Sequence, residues 1–224
     1  MRVVRRCLSV AGGSTYVGWA RLVPVIAMVG LLACGGSGAA SGIDSGMDAS
    51  MDSGMDSGTD SGPDSGVSEW RIFVTNTVQD ANLGGIAGAD ELCAGQASDA
   101  NLEGEFKAWL STRTSSVSDR LTHSSGAYVL VNGTVVANDW DDLVDGSILA
   151  PINLDANGEP RTGDVWTGTL ATGASFSRDD CAAFASDSSD EIALCGASAS
   201  TTPTWTENIT PACSVQLRLY CIEQ

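Results

Sequence analysis

The chain has 224 residues, with 28 acids against 11 bases and one His, for a formal net charge of −17. Such a chain has no electrostatic reason to seek nucleic acid or an anionic membrane surface. One His beside seven Cys argues against a His-built metal cage or proton relay.

Residues 1–33 hold Arg2, Arg5, Arg6 and Arg21 and no acid, so the rest of the chain has seven bases against 28 acids. Within this leader the apolar run Leu22–Ala33, roughly 12 residues, is too short to span about 30 Å of hydrocarbon as a helix. It reads as an export signal. It ends in Leu31-Leu32-Ala33-Cys34, which resembles a bacterial lipobox, with Cys34 as the residue that receives the lipid. The competing readings are an ordinary small-residue cleavage site and, from Arg5-Arg6, twin-arginine export. Several acyl chains on one Cys would satisfy the requirement for stable anchoring.

Residues 34–68 form a tether after the lipidated Cys. Asp recurs every fourth residue from Asp44 through Asp48, Asp52, Asp56 and Asp60 to Asp64, mostly followed by Ser-Gly. With almost nothing that could pack, such a tract cannot offset the entropy of ordering itself. Its expected mean span is about 30 Å, extended further by self-repulsion. A calcium-binding repeat is the sharper alternative, but too few apolar residues interleave to build a stacked core.

The folding part is expected at 69–224 as one domain. Trp70–Thr75 reads as an edge-forming first strand. A helix follows Gly84-Gly85, with Ile86, Ala89, Cys93 and Ala97 on one face. Leu102, Phe106, Trp109 and Leu110 stand at helical spacing and predict a second helix. Next comes a hairpin, Tyr128–Val131 and Thr134–Ala137, with Asn132-Gly133 supplying a type I′ turn. The sequons Asn132-Gly133-Thr134 and Asn208-Ile209-Thr210 are coincidental in a bacterial lipoprotein.

From Asn138 to Asp164 the chain reads as a long irregular acidic loop, a feature that usually binds something or is disordered. Inside it Asp155, Asn157 and Glu159 place oxygen side chains on alternate residues around Gly158, chemically adequate for part of a Ca²⁺ shell. A solvated turn with incidental acids is the plainer reading. After Cys7 and Cys34 are set aside, Cys93, Cys181, Cys195, Cys213 and Cys221 remain in an exported domain, where pairs oxidise. Five cannot all pair within one molecule, and spacing alone does not choose the connectivity.

Gly88–Cys93, Gly104–Ser111, Asp139-Trp140-Asp141-Asp142-Leu143, Val165-Trp166-Thr167-Gly168, Cys181, Cys213 and Leu219–Glu223 are, in that order and spacing, similar to the endostatin domain of collagen. The closing Tyr220-Cys221-Ile222-Glu223 is also similar to the end of C-type lectin-like domains, of which the endostatin fold is a variant. The whole of 69–224 resembles a family of uncharacterised bacterial lipoprotein domains with that fold. The resemblance implies an α+β domain with two helices packed on a twisted antiparallel sheet, a long irregular loop and nested disulfides. It pairs Cys93 with Cys221 and Cys181 with Cys213, and leaves Cys195 as the odd thiol.

The family's zinc and heparin sites do not carry over. Residues 69–92 contain no His, and the domain has seven bases against 22 acids. Where calcium-dependent lectins use Glu-Pro-Asn and Trp-Asn-Asp triplets at the sugar site, this chain offers Glu159-Pro160-Arg161 and, in a different order around Trp140, Asn138-Asp139-Trp140-Asp141, which departs from a lectin's calcium and sugar set. Catalysis has little support. His123 lies in a polar loop with Ser124 and Ser125 and no nucleophile elbow, and nothing selects a carboxylate pair. The expectation is a monomeric, non-catalytic recognition lipoprotein exported to the bacterial cell envelope, at the outer membrane or cell surface. It would bind a glycan or protein through the 138–164 loop, with Trp140, Asp141, Asp142 and Trp166 at the site and Ca²⁺ as the one conceivable cofactor. A structural envelope lipoprotein without a soluble ligand is the alternative, and a hydrolase the third.

Overall fold

The computed structural model describes residues 68–224; the expected export signal over 1–33, the lipobox expected at Cys34 and the expected Asp-rich tether lie outside the described residues. The described part is α+β. Its strands are β1 (Trp70–Val74), β2 (Phe106–Ala108), β3 (Tyr128–Leu130), β4 (Val135–Ala137), β5 (Asp164–Trp166), β6 (Cys195–Ala197) and β7 (Arg218–Glu223). They form a sheet in the order β4-β3-β1-β7-β5-β6, with β2 also paired to β7. One long helix, α1 (Gly85–Asp99), is joined by single turns at α2 (Val117–Arg120), α3 (Trp140–Leu143) and α4 (Cys181–Phe184) and by a 3-10 turn at Pro203–Trp205.

The centre of the sheet reads as continuous apolar sequence because it is covered on both faces. Along β7, Leu219 and Cys221 point into one core with Phe73, Phe106, Trp166 and the α1 residues Ala89, Cys93 and Ala97. Tyr220 and Ile222 point into the other, with Ile72, Val74, Trp109, Tyr128, Trp140 and Trp205. This is the period-2 alternation of a strand, with both faces buried. At one end Glu223 accepts from Arg71 Nε at 2.7 Å and Nη2 at 2.6 Å, which fastens β1 to β7 with a two-pronged ion pair.

Four expectations need correction. β1 is a central strand, parallel to β3 and antiparallel to β7, and not an edge. The sheet is mixed, since β5 also runs parallel to β7. The predicted second helix is strand β2, antiparallel to β7 through Phe106↔Glu223, Lys107↔Ile222 and Ala108↔Cys221. The spacing misleads because Leu102, Phe106 and Leu110 are four apart, which satisfies a period of 2 as well as one of 3.6. The β3–β4 hairpin forms, but not through a type I′ turn. Only Gly133 has positive φ (83°), Leu130 O accepts from Gly133 N at 2.8 Å, and the register shifts beyond Tyr128. That is a three-residue loop closed by a glycine bulge, which sets Val129 opposite Val135, and a second irregularity between Tyr128 and Val129 sets Tyr128 opposite Ala137.

Two disulfides cross the domain, Cys93–Cys221 and Cys181–Cys213, the pairs that the resemblance implies. Each restricts the unfolded chain by on the order of 3 to 5 kcal/mol in the loop-entropy account. The first ties α1 to the central strand. The second begins at α4, where Cys181, Ala182, Ala183 and Phe184 all have φ between 52° and 62°. This is a left-handed turn made without glycine, closed by Phe184 N to Asp180 O at 2.7 Å and Ala185 N to Cys181 O at 3.0 Å. Each such residue costs about 1–2 kcal/mol over its right-handed form.

Candidate functional site

A hollow of about 320 Å³ opens where the loop after α2 meets α3, lined by His123, Ser124, Ser125, Asp139, Trp140 and Asp141. Its floor follows from helix capping. Asp139 stands in extended conformation before α3 and its Oδ1 accepts from Asp142 N at 2.9 Å, so the single turn starts there. That turn buries Trp140 and Leu143 and leaves Asp141 exposed at the rim. The 122–126 loop is clipped alongside. Trp140 N donates to Ser124 O at 3.0 Å, Ser124 N donates to the Tyr128 hydroxyl at 3.0 Å, and Ser124 Oγ accepts from Gly126 N at 2.9 Å. Burial pushes the Tyr128 phenol up to about 12, so it stays protonated.

The His123 ring lies flat on Trp140, with centroids 3.8 Å apart and planes within 6°. Its Nε2 is 3.0 Å from Ser118 O, which selects the tautomer protonated at Nε2. Trp140 is 6% exposed and its other contacts run inward, to Trp109 at 5.7 Å, then Trp205 and Tyr220. The exposed imidazole is therefore backed by a rigid aromatic column reaching the central strand. Below it, Trp109 Nε1 donates to Thr206 Oγ1 at 2.9 Å, Thr206 Oγ1 to Thr169 O at 3.1 Å, and Thr169 Oγ1 to Ser111 Oγ at 2.8 Å. A buried network satisfied in this way fixes ring positions.

The residues picked out by sequence are not brought together. Trp140 and Asp141 reach the hollow. Asp142 is partly buried, its Oδ2 accepting from Asn138 N at 2.7 Å and Nδ2 at 2.8 Å. Trp166 must be corrected: it is fully buried in the core on the α1 side, with Nε1 donating to Gln79 O at 3.1 Å, and cannot touch a ligand. His123, Ser124, Ser125 and Asp139 are gained. Sequence could show that Asp139 precedes a helical turn, but nothing local shows that a loop 16 residues upstream folds onto it.

The Asp155, Asn157 and Glu159 trio has another role. Asp155 is 1% exposed; its Oδ1 accepts from Asn157 N at 2.9 Å and Glu159 N at 3.1 Å, and its Oδ2 lies 3.1 Å from Arg161 Nη2. The carboxylate organises its own turn and is neutralised by an arginine, while Asn157 and Glu159 face solvent. Among the described residues no group of three or more His, Cys, Asp or Glu is placed to hold a metal ion. The acidic 138–164 stretch is also less irregular than expected, since it contains α3 and the small bridge Leu154↔Pro160.

Cys195 is free and buried, and burial pushes its thiol up to about 12. It pairs with Ile209 in a ladder whose other end has Cys213 N donating to Glu191 O. Four strand residues, about 13 Å, separate the two cysteines along that ladder, beyond the reach of a disulfide. Five of the domain's seven bases lie within 4.0 Å of a carboxylate, so the charge left over at the surface is negative. No helix of the described residues is long and apolar enough to cross a membrane. Compared with known proteins, the chain matches no family model and no curated protein.

Proposed function

We propose that residues 69–224 are a non-catalytic recognition module of the C-type lectin-like, endostatin-like kind, displayed on the bacterial cell envelope by a lipid on Cys34 and a solvated tether. The observation that carries the binding role is the hollow at His123. A flat imidazole backed by Trp140 offers a stacking platform, two carboxylates and two serine hydroxyls flank it, and capping and loop bonds hold the set in place before any ligand arrives. A sugar ring, with one apolar CH face and hydroxyls around its edge, suits this combination best. A protein ligand presenting a basic side chain to the same carboxylates is the second reading, favoured by the unbalanced negative charge.

The test is a titration of the purified protein against isolated envelope material, host matrix and immobilised glycans. Saturable binding that falls at least tenfold in His123→Ala and in Asp141→Ala, but not in a Val215→Ala surface control, supports the module. Absence of saturable binding to all of these overturns it in favour of a structural envelope lipoprotein. Anchoring is checked separately, by incorporation of labelled fatty acid that Cys34→Ala abolishes.

A further inference from the structure

We propose that the Cys181–Cys213 bond is a redox latch: its reduction by an external dithiol lets the left-handed turn at Cys181–Phe184 relax and opens the 177–191 segment, while Cys93–Cys221 stays closed.

The backbone supplies the driving force. Four successive residues with side chains occupy a region that such residues rarely adopt singly, and no glycine shares the burden. Strain of this kind persists only where the surroundings over-determine it. Those surroundings are few. In 177–191 only Asp180, Cys181 and Phe184 are buried, and most of the rest is exposed. Asp180 caps the turn through Ala183 N at 3.0 Å and accepts from Arg113 N at 3.0 Å. Phe184 packs edge-on to Trp166, and its carbonyl accepts from Leu83 N at 3.0 Å. The other ties are the isolated bridges Asn82↔Ala185 and Asp180↔Ala193, the Arg113 Nε to Asp180 Oδ1 ion pair at 3.4 Å, Cys213 N donating to Glu191 O at 2.9 Å, and the covalent bond. Cys93 and Cys221 sit in the middle of α1 and β7, in regular backbone, so cutting that bond releases no comparable strain.

Cys181 is 1% exposed and borders a hollow of about 230 Å³ with Arg113, Asp179, Asp180, Ala182 and Glu191, so the reagent reaches its sulfur as the turn loosens. A thiolate of the reagent attacks Cys181 Sγ, the protein S–S bond breaks, and its electron pair leaves on Cys213 Sγ, which takes a proton from water. The reagent's second thiol then attacks the mixed disulfide and releases Cys181 as a thiol. The reagent is oxidised by two electrons to a cyclic disulfide, and the protein is reduced by two. Cys195 is a spectator, out of reach along its ladder.

The test uses the intact oxidised chain equilibrated with graded dithiothreitol, alkylated, and mapped by mass spectrometry. Cys181 and Cys213 should become labelled at dithiol concentrations at least tenfold below those needed for Cys93 and Cys221. Hydrogen exchange should rise in 177–191 while β1 and β7 remain protected. The decisive variant is Ala182→Gly/Ala183→Gly, which relieves positive-φ strain in the latched state only. It should raise the dithiol concentration for half-reduction of Cys181–Cys213 by about tenfold. Both bonds opening together, Cys93–Cys221 opening first, or an unchanged midpoint in the glycine variant would each overturn the proposal.

Discussion

The two disulfides sit in regions built by opposite means. Around Cys93–Cys221, α1 packs on the face of β7, and the backbone is regular helix and strand whose polar groups satisfy one another. Between β5 and β7, residues 167–217 have one three-residue strand, a strained left-handed turn and a 3-10 turn, tied by isolated bridges and by side chains such as Asp180 and Thr206. One bond reinforces a structure that hydrophobic burial already specifies. The other stands in for regular structure that the excursion lacks. Stability should therefore be shared unevenly, with the excursion opening below the cost of global unfolding.

Alkali gives the largest expected effect and reaches both regions. Burial pushes the Cys195 thiol from 9.0 up to about 12 and the Tyr128 phenol from 10.0 up to about 12, and it holds Tyr220 well above its ordinary range. In each case the fold favours the protonated, neutral form, while the unfolded chain releases its protons first. The stabilisation is therefore complete below pH 9 and is lost as pH rises from about 9 toward 12. For Cys195 alone this is on the order of 4 kcal/mol. Urea melts at successive pH values should show the decline, and Cys195→Ala should move its onset to about pH 10, where the tyrosines take over. If the variant leaves the profile unchanged, the excursion already unfolds separately and Cys195 does not report on the global transition.

Truncating one buried phenylalanine in each region tests the contrast directly. Phe73 is fully buried on β1, its ring 5.4 Å from Phe106, and Phe73→Ala should cost about 3 to 5 kcal/mol with no local escape. Phe184 is equally buried but ends the strained turn, so Phe184→Ala should cost only about 1 to 3 kcal/mol, because the segment can open in place of the molecule. Equal costs in chemical denaturation, with exchange rising everywhere in both variants, would merge the two regions into one.

This division also explains what the sequence could disclose. Trp70–Val74, the α1 face at Ala89, Cys93 and Ala97, and the 128–137 hairpin are legible because each pattern is local and its period matches its structure. β2 is not legible, since a four-residue spacing fits two periods. Trp166 is not legible as a core residue, because a Trp followed by Thr-Gly near an acidic loop looks the same whether its ring faces solvent or core. The left-handed turn has no composition signal at all: Cys-Ala-Ala-Phe carries no glycine, and the disulfide, the Asp180 cap and Phe184 burial impose its conformation. In the hollow, Asp139, Trp140 and Asp141 form a local motif, whereas His123 arrives through Trp140 N to Ser124 O and the Tyr128 hydroxyl, contacts that exist only after the hairpin has folded.

The smallest effects separate two acids that look alike in the sequence. Asp155 is spent internally, and Asp155→Ala strips the acceptor from two backbone N–H groups and the partner from Arg161. It should cost about 1 to 2 kcal/mol of stability and leave ligand affinity untouched. Asp141 is exposed at the hollow, and Asp141→Ala should change stability by less than about 0.5 kcal/mol while weakening the ligand tenfold. Millimolar Ca²⁺ should leave the melting temperature of either variant where it stood without the ion, because the turn that resembled half a calcium shell already has an arginine where the cation would go. If instead Ca²⁺ raises the melting temperature of the native chain and Asp155→Ala removes the rise, then Arg161 yields to the ion, and the division between a structural acid and a recognising acid fails at Asp155.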